Sequence, residues 1–383
     1  MIIWFAPNQK EMTMAARLIF VSTLYVLCLA SCTTEREPTV AAGGSGESRQ
    51  VTVLNLMADG QPIVAAGSNG RDFAVAFAAV LQEDTLVFDA VQGAFPVVMR
   101  DEKGNEWDVF GKAVSGPDAG AALEPVVSGR GFWFVFGALY PGVEIWGQGM
   151  EAIALATDTV PGWAVAAQGL AQGMELDEIP SLDNPEFVTY QVLGNAPEAI
   201  FYLQESDRVV AVKVNGEVKL YPIPVLNWHE VINDEVGGVP VAIMYAPLTG
   251  TTRVYERPDG VEFGVSGIIY NNNLLAFDRL TESFWLQWEG RCVFGSRVGE
   301  QLSPVPYVVV SFSTWLQVDS QPQIVSGVQE NGFPYGDYPF GDYPENQNIT
   351  YPLMYLDTRL PAKEEVFMAG QSREGLILPK SAW

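Results

Sequence analysis

The chain has 383 residues, of which 48% are hydrophobic, so it is long enough for two domains or one large one with a sizeable core. Its 21 basic and 46 acidic residues give a net charge of −25. This charge repels phosphate backbones, which argues against nucleic-acid binding, and it disfavours a basic surface for anionic lipids.

The N-terminus predicts a secretory leader that ends at a lipidated cysteine. Arg17 precedes twelve uncharged residues, 18–29, which are followed by the small residues Ala30 and Ser31 and then by Cys32. A membrane-spanning helix needs about 20 apolar residues, so this stretch is too short to be one. The order of basic, apolar and small residues is that of a signal peptide, and it resembles bacterial lipoprotein signals that are cut before a lipidated cysteine. An ordinary cleaved leader with an incidental cysteine is the alternative.

The residue after the cysteine favours one membrane. Thr33, rather than Asp, favours the outer membrane of a diderm bacterium, so the membrane is the one partner that the sequence implies. Protein partners and cofactors are unknown. Residues 33–50 are rich in Gly, Ser, Thr, Glu and Ala and predict a flexible tether. The translation start is open between Met1, Met12 and Met14, because residues 1–11 make a poor basic region.

Short strands dominate the rest of the chain. Runs rich in β-branched residues, with Gly or Pro nearby, occur at 51–56, 209–214, 239–245 and 305–310. Asn215-Gly216 and Asp259-Gly260 are typical hairpin turns. Composition predicts two short helices, at 73–81 and at 225–233.

The sequence also repeats itself internally. Residues 86–89 match 275–278 at an offset of 189, whereas 111–116 match 290–295 at an offset of 179. The difference predicts a polar insertion around 100–107, with Asp89 equivalent to Asp278. Further matches join 120–126 to 299–305, and, without gaps, 366–379 to 209–222. Chance similarity between Gly- and Pro-rich strands is the alternative.

These matches predict the fold class. We expect a mainly β fold with a few short helices, with a β-rich α+β fold as the alternative, in which two pseudo-repeated units are closed by the N- and C-terminal segments. The last strand should dock on the N-terminal unit. The predicted segments are a signal peptide (1–31), a tether (32–50), a degenerate N-terminal repeat unit (51–147), a linker (148–197), a complete middle unit (198–327), a Tyr- and Pro-rich loop (328–363) and a C-terminal segment (364–383).

Several familiar mechanisms are excluded. The sequence has no phosphate loop and no dinucleotide fingerprint after a strand, and 264–267 lacks the spacing of a nucleophile elbow. His229 is the only histidine, which excludes the zinc-protease motif. The functional candidates are therefore the polar clusters that only the middle unit has: 227–234, 245–252, 266–273 and 285–287.

His229, Glu230 and Asp234 are the catalytic candidates. His229 could be a general base oriented by either acid, or a metal ligand. The alternative is a lone histidine that caps a helix or packs beside Trp228. On a helix, Glu230 and Asp234 would share a face and could bind a cation through their oxygens.

A second set of side chains consists of ligand-binding candidates. They are Trp228, Tyr245, Thr249, Thr251, Ser266, Asn271, Trp285 and Gln287. The alternative for the threonines is a tight turn after a buried strand, and a run of asparagines such as 271–273 most often forms a turn. Cys292 aligns with Ala113 in the repeat, so we expect a small core residue there rather than a nucleophile, and no intramolecular disulfide.

Seven strings in order resemble one family. They lie at 178–187, 215–222, 227–234, 238–242, 245–251, 263–267 and 277–285. Over about 178–380 the sequence resembles the bacterial and archaeal domain-of-unknown-function family numbered 3179, which implies export and an uncharacterised function. Members often have Cys where this chain has Ala246, and sometimes where it has Thr249. Activity that depends on that thiol is therefore in doubt here.

Three functional hypotheses remain. The first is a membrane-anchored extracytoplasmic lipoprotein that binds a small polar ligand, peptide or glycan through its middle unit. The second is an extracytoplasmic hydrolase or transferase that uses His229 as general base. The third is a metal-binding protein.

Overall fold

The computed structural model describes residues 49–153, 158, 160–190, 198–330 and 332–383. All of them belong to the second of two compact units, Gly44–Trp383. The predicted signal peptide, Cys32 and most of the predicted tether lie outside the described residues.

The N-terminal region consists of short antiparallel strands followed by a helix. Its strands and helix are β1 (Thr52–Ala58), β2 (Gln61–Ser68), β3 (Phe73–Ala78), β4 (Val80–Leu81), β5 (Asp84–Thr85), β6 (Phe88–Ala90), β7 (Val97–Asp101), β8 (Glu106–Asp108), β9 (Ala113–Ser115), β10 (Ser128–Phe132), α1 (Trp133–Leu139) and β11 (Glu144–Ile145). The predicted helix at 73–81 is wrong. The large residues Phe73, Val75 and Phe77 alternate with alanines, which is the period of a strand, and all three are buried in β3.

The remaining strands and helices follow in chain order. They are β12 (Leu170–Gln172), β13 (Leu182–Asp183), β14 (Phe187–Thr189), β15 (Arg208–Val214), β16 (Glu217–Pro222), α2 (Ile223–His229), β17 (Val231–Val236), β18 (Val239–Ala246), β19 (Thr251–Glu256), β20 (Phe263–Tyr270), β21 (Asn273–Asp278), β22 (Phe284–Leu286), β23 (Cys292–Phe294), β24 (Tyr307–Ser311), α3 (Phe312–Trp315), β25 (Gln323–Val325), β26 (Glu365–Ala369) and β27 (Leu376–Pro379). Single 3₁₀ turns occur at Ala167–Gly169, Glu198–Ile200, Pro258–Gly260 and Lys380–Ala382. Among the described residues, no helix is both long and apolar enough to cross a membrane.

Helix α2 is shorter than predicted and lies earlier in the chain. Pro224 sits in its first turn, where the missing N–H is tolerated, and the helix ends at His229. Glu230 then takes a positive φ of 57°, which breaks the helix, and β17 begins at Val231. The predicted helical segment 225–233 is therefore wrong beyond His229.

The two predicted hairpin turns have different outcomes. Asn215 and Gly216 have φ values of 49° and 90° and join β15 to β16 as an antiparallel hairpin. Asp259-Gly260 lies instead in a 3₁₀ turn between β19 and β20, which belong to different sheets.

The segment predicted as a linker supplies edge strands to the middle unit. Within 148–197, β12 pairs with β20, β13 with β17 and β14 with β25. These three strands extend three separate sheets, so this part of the chain is integrated into the fold.

The fold is mainly β, as predicted, and its small sheets are arranged in a propeller-like ring. Two sheets show the pseudo-repeat. One has the order β10-β26-β27-β11 and the other contains β24-β15-β16-β25. In both, the first two pairings are antiparallel and the third is parallel. The last hairpin of the chain thus occupies, beside the N-terminal strands, the position that β15 and β16 occupy in the middle unit.

Alternate residues of this last hairpin enter two cores. Val366 and Met368 of β26 pack with α1, whereas Phe367, between them, packs with β1, β2 and β3. Because successive residues of a strand point to opposite faces of the sheet, this one hairpin contributes side chains to both hydrophobic cores.

One part of the repeat has a different register from the prediction. Asp278 is buried and accepts a hydrogen bond from the indole Nε1 of Trp285 at 3.0 Å. In the N-terminal unit Asp101 does the same for Trp107, also at 3.0 Å, whereas Asp89 is exposed. Asp101, not Asp89, is therefore the equivalent of Asp278. Residues 100–107 form the β7–β8 hairpin rather than an insertion.

The glycines after these hairpins are equivalent for a steric reason. A Cβ atom on Gly116 would lie 2.6 Å from the Cα of Asn105, and one on Gly295 would lie 2.7 Å from the Cα of Ser283. Only glycine leaves room for the hairpin that holds the aspartate in either unit.

Candidate functional site

His229 lies at the end of α2 and is fully buried. Its Nδ1 is 2.8 Å from the carbonyl oxygen of Pro180, and its Nε2 is 2.7 Å from the hydroxyl of Tyr335. Because a carbonyl can only accept, Nδ1 carries the proton and Nε2 accepts from Tyr335. Burial lowers the pKa of His229 more than the bond to Pro180 raises it, which favours the neutral ring.

The two acids proposed to orient His229 do not contact it through a hydrogen bond. Asp234 lies on β17, where it accepts from Lys219 Nζ at 3.0 Å and from the Tyr221 hydroxyl at 2.6 Å. Glu230 lies outside the helix and lines a cavity that does not include His229. The predicted shared face of Glu230 and Asp234 is wrong, because the helix ends before either residue.

Thr249, Thr251 and Gln287 come together in a closed network. The Thr251 hydroxyl donates to Gln287 Oε1 at 2.9 Å and lies 2.9 Å from the Thr249 hydroxyl. Asn273 Nδ2 contacts all three side chains at 2.9–3.1 Å, and Gln287 Nε2 donates to the Thr251 carbonyl. The three predicted residues are fully buried, and their polar groups bond to one another and cross-link strands.

The other predicted ligand residues also make internal contacts. Trp228 donates from Nε1 to the Asp337 carbonyl at 3.0 Å, and Trp285 donates to Asp278. The Ser266 hydroxyl accepts from the Ile268 N–H at 3.0 Å, within the bulge of β20.

Asn271 begins the turn that the asparagine run predicts. Asn271 and Asn272 both have positive φ, and they join β20 to β21. The Asn271 side-chain oxygen accepts from the Met354 N–H at 2.9 Å. Asn272 contacts Tyr351 by two hydrogen bonds of 2.9 Å, which fix the Tyr- and Pro-rich loop against this turn.

Cys292 is a buried core residue. It pairs with Trp285 across β22 and β23, as Ala113 pairs with Trp107 in the other unit. Burial raises the pKa of its thiol, which disfavours the nucleophilic thiolate. Among the described residues, no three His, Cys, Asp or Glu side chains come together as a metal site.

A cavity of about 310 Å³ lies between the two pseudo-repeats. β3 and β10 contribute to its wall from the N-terminal unit, and β19 and β24 contribute from the middle unit. The strands β10 and β24 are equivalent in the repeat, so the cavity lies where the two units meet. We call it the central cavity.

Four charged side chains line the central cavity: Arg130, Arg208, Arg253 and Glu365. Arg208 contacts Glu365 at 2.9 Å and Asp72 at 2.6 Å, and Arg130 also pairs with both acids. Arg208 and Glu365 are the first residues of the equivalent strands β15 and β26. Two arginines and two acids thus form a balanced cluster that joins the units.

Arg253 differs from the other two arginines. It is only 2% exposed, and its guanidinium donates to the Ser128 carbonyl at 2.8 Å and to the Tyr255 hydroxyl at 3.2 Å. No described carboxylate forms an ion pair with it. Burial lowers its pKa, but Tyr255 and Tyr307 raise it by more, so the group stays charged. The central cavity therefore contains one buried positive charge without a counter-ion among the described residues.

Asn227 and Tyr245 are two of the neutral polar residues that line this cavity. Asn227 is 8% exposed, and its side-chain Oδ1 makes no hydrogen bond to the described residues. Tyr245 is the one predicted ligand residue that lines the central cavity, and burial raises its pKa to about 12. Its hydroxyl likewise has no hydrogen-bond partner in the described part of the chain.

A second cavity, of about 230 Å³, contains Glu230. The loop after β18 separates the two cavities, because Pro247 lines the central cavity and Leu248 lines the second. The Tyr- and Pro-rich loop contributes to both, with Tyr338 in the first and Phe340 and Tyr343 in the second.

The fold and these cavities define a mainly β protein of two pseudo-repeated units around an arginine-lined centre. The chain belongs to the family described as Protein of unknown function (DUF3179), whose sequence model matches residues 32–143 and 176–382. The family match includes the N-terminal unit, which lies outside the resemblance predicted at 178–380. No curated protein and no solved structure matches the chain.

Arg253, Arg208 and Glu365 are not among the residues that the sequence predicted for the site. One local signal pointed to Arg253, which stands among four neutral residues in 251–255 of β19, TTRVY. Arg208 and Glu365 carry opposite charges at aligned positions of the repeat. Their contact depends on the two units facing each other, which local sequence does not reveal.

Proposed function

We propose that this protein binds a small polar ligand with one negative charge, such as a carboxylate, in the central cavity. The observation that carries the proposal is Arg253, a buried guanidinium on the cavity wall without a described carboxylate partner. Buried charges in proteins are normally paired, so an anionic group on the ligand would supply the missing partner.

The local charge supports an anion despite the overall charge. The chain as a whole carries −25. Around the central cavity, three arginines face Glu365 and Asp72, which leaves one positive charge. At short range in a cavity of low dielectric, this charge outweighs distant surface acids that solvent screens.

Size and polarity favour the small polar ligand over a peptide or glycan. A cavity of about 310 Å³ lies at the lower end of the range for ligand pockets, ~300–1,000 Å³. Asn227 and Tyr245 offer hydrogen-bonding groups on the same cavity wall, while most of the wall is apolar. The proposed ligand is thus a short carboxylate with an apolar body.

Calorimetric titration of matched probes tests the proposal. Benzoate and butyrate should each bind at least tenfold more tightly than benzamide and butyramide, which have the same shape without the charge. Asn227→Asp should weaken binding of the carboxylates about tenfold and leave the amides unchanged, because it adds a negative charge to the wall. Equal affinity of acid and amide, or no binding of any carboxylate, would refute the proposal.

A matched variant controls for total charge. Asn348 is exposed and does not line the central cavity, so Asn348→Asp should leave every affinity unchanged. Tyr245→Phe should weaken carboxylate binding severalfold, since it removes the hydroxyl group and keeps the ring.

We also propose that the protein is exported and anchored in the outer membrane by a lipid on Cys32. The support is the order of basic, apolar and small residues before this cysteine. In a diderm bacterial host, the full chain should partition into the detergent phase, and its Cys32 peptide should show the mass of a lipid adduct. Cys32→Ala should stay in the aqueous phase. An unmodified cysteine in the wild type would refute the anchor.

A further inference from the structure

The second cavity combines an apolar wall with a single carboxyl group. Its lining includes Met174, Ile179, Val265 and Leu274, and Glu230 is the only charged residue among the lining residues. This cavity is separate from the central cavity, so a ligand could bind here whether or not the proposed anion site exists.

The backbone holds Glu230 in place at the end of α2. Its N–H donates to the Leu226 carbonyl at 2.8 Å, and its carbonyl accepts from the Tyr245 N–H at 2.7 Å. With φ at 57° and ψ at −34°, Glu230 has a conformation that non-glycine residues rarely adopt. Two hydrogen bonds to α2 and β18 therefore fix a strained residue on the cavity wall.

The carboxyl group of Glu230 has no counter-ion in the described part of the chain. No described lysine or arginine forms an ion pair with it, and no described side chain donates a hydrogen bond to it. Burial raises its pKa to about 8. Glu230 is half-buried, and an apolar cavity with one unpaired carboxyl is an unusual arrangement, because even partial burial of such a group is costly.

Aromatic side chains form another part of this wall. Phe340, Tyr343 and Tyr351 line the cavity. The Tyr343 hydroxyl donates to the Leu248 carbonyl at 3.0 Å, and Tyr351 is held by Asn272 through two hydrogen bonds. The Tyr343 hydroxyl and the Tyr351 main chain are thus held by the fold, which preorganises this part of the wall for a ligand.

We propose that the second cavity binds a small organic ammonium ion, whose nitrogen faces the Glu230 carboxylate and whose apolar body lies against the aromatic wall. A cation supplies the charge partner that Glu230 lacks, and aromatic faces attract ammonium groups. The net charge of −25 also concentrates cations near the protein.

Titration of benzylammonium against benzyl alcohol tests this proposal. The two probes have nearly the same size, and we expect the ammonium to bind at least tenfold more tightly at pH 7. A cation that pairs with Glu230 must displace its proton. With a pKa of about 8, about 0.9 proton should be released per ammonium bound at pH 7. Calorimetry in two buffers of different ionisation enthalpy measures this number.

Two glutamate variants assign the effect to one side chain. Glu230→Gln should lower benzylammonium affinity at least tenfold, leave benzyl alcohol unchanged and abolish the proton release. Glu235 is exposed on β17 and lines neither cavity, so Glu235→Gln is the control with the same change in charge.

Each outcome decides the proposal. Equal binding of the two probes, absence of proton release, or no binding of benzylammonium at millimolar concentration would overturn it. The first two measurements use the wild-type chain and stand even if Glu230→Gln does not fold. Loss of carboxylate binding in the central cavity would leave this result unaffected.

Discussion

Replacing Asp101 with alanine tests the register of the internal repeat. The Asp101 carboxylate accepts from the N–H groups of Lys103 and Asn105, from Asn105 Nδ2 and from Trp107 Nε1, at 2.8–3.0 Å. Burial raises the pKa of Asp101, but these hydrogen bonds lower it below its usual value, so the group is ionised at neutral pH. Asp101→Ala removes the acceptor that organises the β7–β8 hairpin.

The magnitude depends on the donors that lose their acceptor. The Asn105 N–H and the Trp107 indole belong to fully buried residues, and each unsatisfied buried donor costs about 1–3 kcal/mol. Asn105 Nδ2 keeps a second acceptor, Asp118, at 2.8 Å. Part of the loss is offset, because the carboxylate no longer has to be desolvated. We expect a loss of about 3 kcal/mol in the free energy of unfolding.

Urea unfolding followed by tryptophan fluorescence measures this loss. Asp278→Ala should lose a similar amount, since Asp278 binds Trp285 and the Thr281 N–H in the same way. Asp89→Ala should change the free energy of unfolding by less than about 0.5 kcal/mol, as usual for an exposed side chain. A loss at Asp89 as large as that at Asp101 would refute the structural register and favour the alignment of Asp89 with Asp278.

The remaining predictions concern Glu230, the last hairpin and His229. The pKa of Glu230 is about 8 in the folded chain and about 4.3 when unfolded, so the folded chain binds more protons between these values. The free energy of unfolding of the wild type, relative to that of Glu230→Gln, should therefore fall as pH rises from ~4.3 to ~8, by up to about 1.4 kcal/mol per pH unit. Outside this window the difference should level off. If denaturant titrations gave the same difference between the two proteins at every pH, the raised pKa would be contradicted. Phe367→Ala should cost about 3–5 kcal/mol in urea unfolding, because Phe367 is 2% exposed in the core shared with β1, β2 and β3; a loss below ~1 kcal/mol would argue against closure by the last hairpin. Tyr335→Phe leaves the buried Nε2 of His229 without its donor and should cost about 1–3 kcal/mol by the same assay, whereas an unchanged midpoint would show that this bond does not contribute to stability.

Local sequence predicted the strands better than the helices. The runs at 209–214 and 239–245 lie wholly in strands, and those at 51–56 and 305–310 do so from residues 52 and 307 onward. Residues that are β-branched, with turn signals nearby, favour that conformation. The helix predicted at 73–81 is wrong. Alanine favours helix in isolation, but burial on both faces of a sheet stabilises this segment as strand β3. Helix α2 ends at His229 because Glu230 has a positive φ, which helix propensity does not predict for a glutamate.

The candidate site was predicted less well than the fold. Polar clusters unique to the middle unit did contain Asn227, Glu230 and Tyr245, which line the two cavities. The same clusters contained Thr249 and Gln287, which form a closed hydrogen-bond network. Residue type alone cannot distinguish these cases, because a polar side chain looks the same in sequence whether its partner is another strand or a ligand.

The amino-acid sequence alone was enough to predict the mainly β composition, the internal repeat and the match between the last strands and β15 and β16. These are properties of local pattern and similarity, which need no knowledge of distant contacts. The folded chain was needed to establish that Asp101 is the counterpart of Asp278, that Arg208 meets Glu365, and that Arg253 is buried without a described carboxylate partner. The physical reason is that burial and charge pairing depend on which strands face one another across the two units.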